Sequence, residues 1–246
     1  MSRFRIVLLA FFAVVATSAV AASAASAASD AGQKLNKLPT GSKIIKATSK
    51  VSVLTVATTK VTCTGDTSES EITGLETIGK VKVTFTGCKA EETKVKCKGA
   101  IESPKGGLET IKLEPLKGEF GESAEAAGEA SKEVVELLEP ETGSTFVTLE
   151  ESKEGTKKCT PTTAVTGQIA GAVTPVGKLS KAFTLTFGLE GKGKQAIKKV
   201  QRSKENPKTK EEEKVTPKLT AFTKEATETS TDEGEFSEEL IVEPGV

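Results

Sequence analysis

Between Phe183 and Leu189 the chain alternates strictly. Phe183, Leu185, Phe187 and Leu189 are apolar, and Thr184, Thr186 and Gly188 fall between them. A period of two sends successive side chains to opposite faces of an extended strand, whereas a helix cannot bury such a set on one side. The pattern recurs. Val81, Val83 and Phe85 alternate with Lys82, Thr84 and Thr86 and end at Gly87-Cys88, and Val95 and Cys97 alternate with Lys94, Lys96 and Lys98. Val51, Val53 and Thr55 alternate less perfectly with Ser52 and Leu54. Thr- and Val-rich alternation punctuated by glycine marks half-buried antiparallel strands. The expected fold is therefore all-β, a single antiparallel sandwich or partly closed β-barrel of about eight to twelve strands.

Two stretches break this rhythm. Ser123 to Leu138 carries good helix formers, but Gly128 interrupts it. Val134-Val135, then Glu141-Thr142-Gly143-Ser144, then Phe146-Val147-Thr148-Leu149 suit a hairpin. Residues 124–132 are read as an inserted loop or short helix, and 133–150 as strand, turn and strand. Residues 201–214 contain no apolar side chain except Pro207, so they are expected to form a mobile charged loop in which nothing offsets the ordering entropy. After it, 218–222 and 236–242 read as a final strand pair around a turn at 230–234.

The N-terminus has the layout of a secretory signal peptide. Arg3 and Arg5 precede ten unbroken apolar residues, Ile6 to Val15, and small-residue cleavage patterns follow up to Ala27. The run is shorter than the roughly 20 apolar residues a spanning helix needs. The expected organisation is a signal peptide over 1–27, a polar lead-in over 28–50, and a β-rich domain over 51–246. Leu38-Pro39-Thr40-Gly41 is read as a turn, because no hydrophobic tail follows it as a wall-anchoring signal requires. The expected location is secreted or extracellular, including association with the cell wall, with no stable membrane insertion after cleavage.

An exported chain lives where disulfides persist, and this one has four cysteines, Cys63, Cys88, Cys97 and Cys159. An even count reads as two disulfides with three possible connectivities. Cys63 and Cys88 each end a strand signal, so the preferred pairing is Cys63 with Cys88 and Cys97 with Cys159. Separations of 25, 9 and 62 residues do not suit a four-thiolate metal site, which wants close pairs. No metal and no cofactor are expected.

Order in the motifs carries a resemblance. Cys63-Thr64-Gly65, Val83-Thr84-Phe85-Thr86-Gly87-Cys88 and Cys97 leading to Gly99-Ala100-Ile101 form one block. A second runs from Gly107-Leu108-Glu109-Thr110 through Leu113, Leu116-Lys117-Gly118 and Phe120-Gly121. Cys159, Val165-Thr166-Gly167-Gln168-Ile169, Thr174-Pro175-Val176 and Gly193-Lys194-Gln195 complete the series. In this the chain resembles a family of exported actinobacterial β-rich proteins found in many paralogous copies with no assigned activity. The resemblance implies architecture and export. It implies no chemistry.

Composition narrows the chemistry further. The 246 residues include no His, which removes Ser-His-Asp triads, Cys-His dyads and imidazole-bound zinc. There is no Trp or Tyr, and three of the ten Phe lie in the first twelve residues, so rings for stacking on sugars or bases are scarce. Without residues 1–27 the net charge is near −2 and Arg202 is the sole arginine, so no nucleic-acid partner is expected. Asp occurs at positions 30, 66 and 232 alone, so neither an aspartic dyad nor a calcium loop is expected. Glu69-Ser70-Glu71 and Asp232-Glu233-Gly234-Glu235 read as solvated turns. Ser131-Lys132 and Ser152-Lys153 have the wrong spacing for Ser-Lys chemistry, and Gly191-Lys192-Gly193-Lys194 lacks a phosphate loop's frame. No catalytic residue is named. The expected role is that of an exported non-catalytic β module, structural or binding, whose partner is a cell-envelope component or a protein. The alternatives are a carrier of a small apolar ligand or a hydrolase using Glu or Ser/Lys. A closed pocket above about 300 Å³ would favour the carrier, and a solid core the structural or protein-binding role.

Overall fold

A computed structural model describes residues 34–35, 44–56, 59–74, 76–92, 98–102, 109–123, 133–151, 163–190, 194–203 and 212–243. Residues 1–27, expected to be a signal peptide, residues 124–132 and 204–211, and both Cys97 and Cys159 lie outside the described residues. Every regular element described is a strand. The first seven are β1 (Lys34–Leu35), β2 (Ile44–Ser49), β3 (Ser52–Val56), β4 (Thr59–Cys63), β5 (Gly65–Ile72), β6 (Thr77–Thr86) and β7 (Lys89–Glu92). Then come β8 (Lys98–Glu102), β9 (Thr110–Lys112), β10 (Leu116–Ser123), β11 (Val134–Pro140), β12 (Thr145–Glu151), β13 (Thr163–Gly167) and β14 (Ile169–Thr174). The last are β15 (Leu179–Phe187), β16 (Leu189–Glu190), β17 (Lys194–Gln195), β18 (Val200–Ser203), β19 (Glu212–Val215), β20 (Leu219–Ala221) and β21 (Lys224–Glu243).

Eight strands close on themselves. The antiparallel order is β2–β5–β6–β10–β11–β14–β15–β21 and back to β2. Closure removes the exposed edges that an open sheet would leave. A second antiparallel circuit, β3–β4–β7–β8–β12–β13–β20–β21, continues from one end of the first. The 20-residue β21 belongs to both. Elsewhere the chain passes between the circuits at short breaks, at Lys50-Val51, Thr64, Gly87-Cys88, 141–144 and Gln168. These breaks are why the described segments outnumber the eight to twelve strands expected from the pattern. The Cys63–Cys88 disulfide, the pairing expected, lies at this waist with its Cα atoms 3.9 Å apart.

The core follows the period-two rule. Ile45 and Ala47, Phe183, Leu185 and Phe187, and Phe236 point into the first circuit and are buried. Phe183 and Phe236 pack with ring centroids 4.7 Å apart. Gly234 makes this possible, since a Cβ there would come within 2.3 Å of the Phe183 ring. The apolar run of β11 has a different cause. Val134 and Leu138 face the interior, while Val135 and Leu137 face outward yet are equally buried, in a second cluster with Ala170, Ile197 and Val200. The antiparallel hairpin β18–β19 lies over this outer face and is joined to β10. Arg202 on the hairpin donates to Glu119 of β10 at 2.7 Å and to Glu213 of β19 at 3.1 Å.

Four expectations about organisation change. Residues 44–49 are a barrel strand rather than part of a lead-in, because Ile45 and Ala47 alternate inward beneath polar neighbours. The ends of the supposed loop 201–214 are strands, held by the Arg202 ion pairs and by Val200. The stretch 133–150 is not a hairpin. Its two strands pair with different partners, β11 with β10 and β14, and β12 with β13 and β8. Finally, 230–234 is not a turn but the middle of β21. The chain reverses at Phe222-Thr223, where both residues have positive φ, 51° and 62°.

Candidate functional site

On β21 the side chains of Ser230, Asp232 and Phe236 are turned inward and buried, while Thr229, Thr231, Glu233 and Glu235 are exposed. Strand pairing then assembles a row. Ser49 of β2 lies opposite Asp66 of β5 on one side and opposite Asp232 of β21 on the other. Two strand spacings separate the aspartates, about 10 Å between Cα atoms, and the curvature of the barrel inclines their side chains toward one axis. Both are buried, Asp66 to 4 % exposure and Asp232 to 8 %. The hydroxyls of Ser49 and Ser52 donate to Asp66 Oδ2. Asp66 Oδ1 and Asp232 Oδ1 are buried and have no hydrogen-bond partner.

These aspartates border a cavity of about 80 Å³ where the two circuits meet. Its wall is otherwise mainly apolar, with Leu54, Val61, Phe85, Leu116, Phe146 and Leu149 among its residues, and Glu228 and Ser52 complete the polar side. A smaller space of about 40 Å³ continues along the first circuit between Ser68, Ser70, Glu136, Phe120 and Phe236, and Asp232 borders it too. Asp232 thus links both spaces. Gly118 leaves room for the buried Glu136 carboxylate, since a Cβ there would meet its Oε1 at 2.7 Å.

Three buried carboxyls, Asp66, Asp232 and Glu136, therefore share one interior with the half-buried Glu228 beside them, and among the described residues no lysine or arginine is buried with them. Removing a carboxylate from water without a counter-charge favours its neutral form. Burial, reinforced by the Asp232 charge, pushes the Glu136 carboxyl up to about 7. Burial and the Asp66 charge push Asp232 up to about 7, with the nearby Ser230 hydroxyl, which makes no hydrogen bond of normal geometry, opposing the rise. Glu228 is raised well above the ordinary glutamate range, first by burial and then by Asp232 and Asp66.

The chain has three aspartates. Two of them are brought to one interior by flanking the same strand, a juxtaposition that counting along the chain cannot reveal. Of the acidic motifs, Glu69-Ser70-Glu71 lies in β5 rather than in a turn. Ser70 is buried, and Glu71 pairs with Lys80 at 3.0 Å. Ser131-Lys132 and Ser152-Lys153 lie outside the described residues. Among the described residues no group of three acids or cysteines is placed to hold a metal ion.

The outer wall of the same strands carries a wider feature. An open groove of about 810 Å³ runs over β2, β21 and β15, bordered by Lys46, Thr48, Thr184, Glu233 and Glu235, with Thr174 and Pro175 at one end. Lys46 lies opposite Glu235, and Glu233 lies between Thr48 and Thr184. Two residues of the resembling motifs also find a structural use. Gln195 accepts from the Ala170 N–H at 3.1 Å and donates to the Gln168 carbonyl at 2.8 Å, clamping the 194–197 segment to β14. Gln168 in turn donates to Glu139. No known family, curated protein or solved structure matches the chain.

Proposed function

We propose that the chain is an exported, non-catalytic β module that acts outside the cytoplasmic membrane by presenting its outer wall to a cell-envelope component. The observation that carries this reading is the contrast between the two faces of β2, β21 and β15. Inside, the barrel leaves a cavity of about 80 Å³, well below the roughly 300 Å³ at which ordinary ligand pockets begin. Outside, the same strands offer an open groove of about 810 Å³ with interleaved Lys, Glu and Thr. A mixed-charge polar wall suits polar contacts with an envelope polymer or protein rather than a buried aromatic hot spot. Export is supported by the N-terminal charge and apolar run, and the Cys63–Cys88 disulfide is compatible with it.

Co-sedimentation of the purified protein with isolated cell envelope tests this. Binding is expected, with loss of at least tenfold in affinity for the double substitution Lys46→Glu, Glu233→Lys. Equal binding by the variant would remove the groove from the account. A purified protein that cleaves ester, peptide or glycoside substrates, and stops when one Glu, Ser or Lys is replaced, would replace the whole reading with a hydrolase.

A further inference from the structure

The interior carboxyls have no role in contacts at the outer wall, and their arrangement is costly. A buried acid without a hydrogen-bond partner forfeits its hydration and gains nothing in return. Asp66 and Asp232 each keep one oxygen in that condition, and both border the same cavity. The other Asp66 oxygen is held by the Ser49 and Ser52 hydroxyls, which fixes the carboxylate in place and leaves Oδ1 as the free acceptor. The remaining wall is aliphatic and phenyl, which suits methylene groups and offers them no polar partner.

We propose that the cavity between the two circuits binds a small organic cation, a primary ammonium with a short aliphatic tail, whose nitrogen sits between Asp66 and Asp232. An ammonium carries three donors and no acceptor, so it matches the two unpartnered carboxyl oxygens and holds both carboxyls in their ionised form. Its positive charge supplies the counter-ion that the barrel interior lacks, and its tail fills the apolar end. The groups facing it are all acidic, Asp66 from β5, Asp232 and Glu228 from β21, and Glu136 from β11 beyond Asp232. A metal ion fits less well. Calcium wants six to eight converging oxygens, and among the described residues no group of three acids is placed closely enough to hold a metal ion. An anion would meet carboxylates on every polar side. This site is independent of the outer groove and stands or falls separately.

Calorimetric titration of the oxidised protein in phosphate buffer with ethylammonium, ethanol and acetate tests the assignment; the two-carbon probes are chosen to fit a cavity of about 80 Å³. Ethylammonium is expected to bind at least tenfold more tightly than ethanol, and acetate not at all. Asp66→Asn and Asp232→Asn should each lower the ethylammonium affinity at least tenfold, while Glu225→Gln, on the exposed start of β21, should leave it unchanged. Carbon-13 spectra of the unsubstituted protein give a reading that does not depend on the variants folding: ethylammonium should shift the Asp66 and Asp232 carboxyl signals. The proposal is overturned if ethanol binds as well as ethylammonium, if the two Asn variants bind like the unsubstituted protein, or if ethylammonium leaves those signals in place.

Discussion

At the scale of single residues, the informative positions are those where a polar or minimal side chain stands inward in a strand. Gly234 faces the core because Phe183 occupies the space a side chain would need, at 2.3 Å from a built Cβ. Gly234→Ala should therefore destabilise the fold by about 1–3 kcal/mol through overpacking, read as a lower midpoint in urea with an unchanged slope. A change below about 0.5 kcal/mol would mean that the ring is not seated there. Asp232 was hard to place from the sequence for a related reason. In Ser230-Thr231-Asp232-Glu233-Gly234 the Ser, Asp and Gly are turn formers, and uniform polarity gives no sign of which face is inside. The apolar periodicity that exposed Phe183 to Phe187 is silent once the inward set is itself polar. Asp66 was hidden in the same way between Gly65 and Thr67.

At the scale of elements, legibility depends on how many faces a strand buries. β15 and β6, with one wet face, announce themselves by alternation; Phe183, Leu185 and Phe187 turn inward as expected, whereas Leu189 lies beyond the end of β15, exposed in β16. β11 buries both faces and reads as a continuous run, VVELLEP, in which strand and helix cannot be separated by period. Its outer cover, the β18–β19 hairpin, is highly charged and so resembled a loop. What holds it is a few buried contacts rather than composition, chiefly Val200, which is fully buried. Val200→Ala should cost about 2 kcal/mol, and amide exchange should accelerate in β18 and β19 before it does in β15. Uniform acceleration across the barrel would show that the hairpin is not a separate cover. The β20–β21 reversal carries no turn signal in the sequence, because Phe222 and Thr223 occupy positive-φ positions where Asn and Gly are the usual residues.

At the scale of the whole molecule, one chain of strands makes two circuits that share β21, and the Cys63–Cys88 bridge ties them where they meet. Closing a loop of 25 residues contributes about 3.5 kcal/mol in the chain-entropy account. Replacing both Cys63 and Cys88 by Ala should lower the unfolding free energy by an amount of that order, and a loss below about 1 kcal/mol would show that the waist is held by packing alone. The central claim is that the closed barrel holds Asp232 and Glu136 inside, beside Asp66 and Glu228, without a buried cation among the described residues. Its most direct test is the unfolding free energy measured from pH 5 to pH 8.5. Both carboxyls sit near 7 in the folded protein, above their ordinary values of 3.8 and 4.5. The folded state therefore binds more protons than the unfolded chain across that window, and stability falls as pH rises. The slope approaches about 1.4 kcal/mol per pH unit for each group and levels off above 7. The account predicts this decline, and a flatter curve for the double variant Asp232→Asn, Glu136→Gln. A stability that is constant or increases between pH 5 and pH 7, with the double variant indistinguishable from the unsubstituted protein, would contradict it.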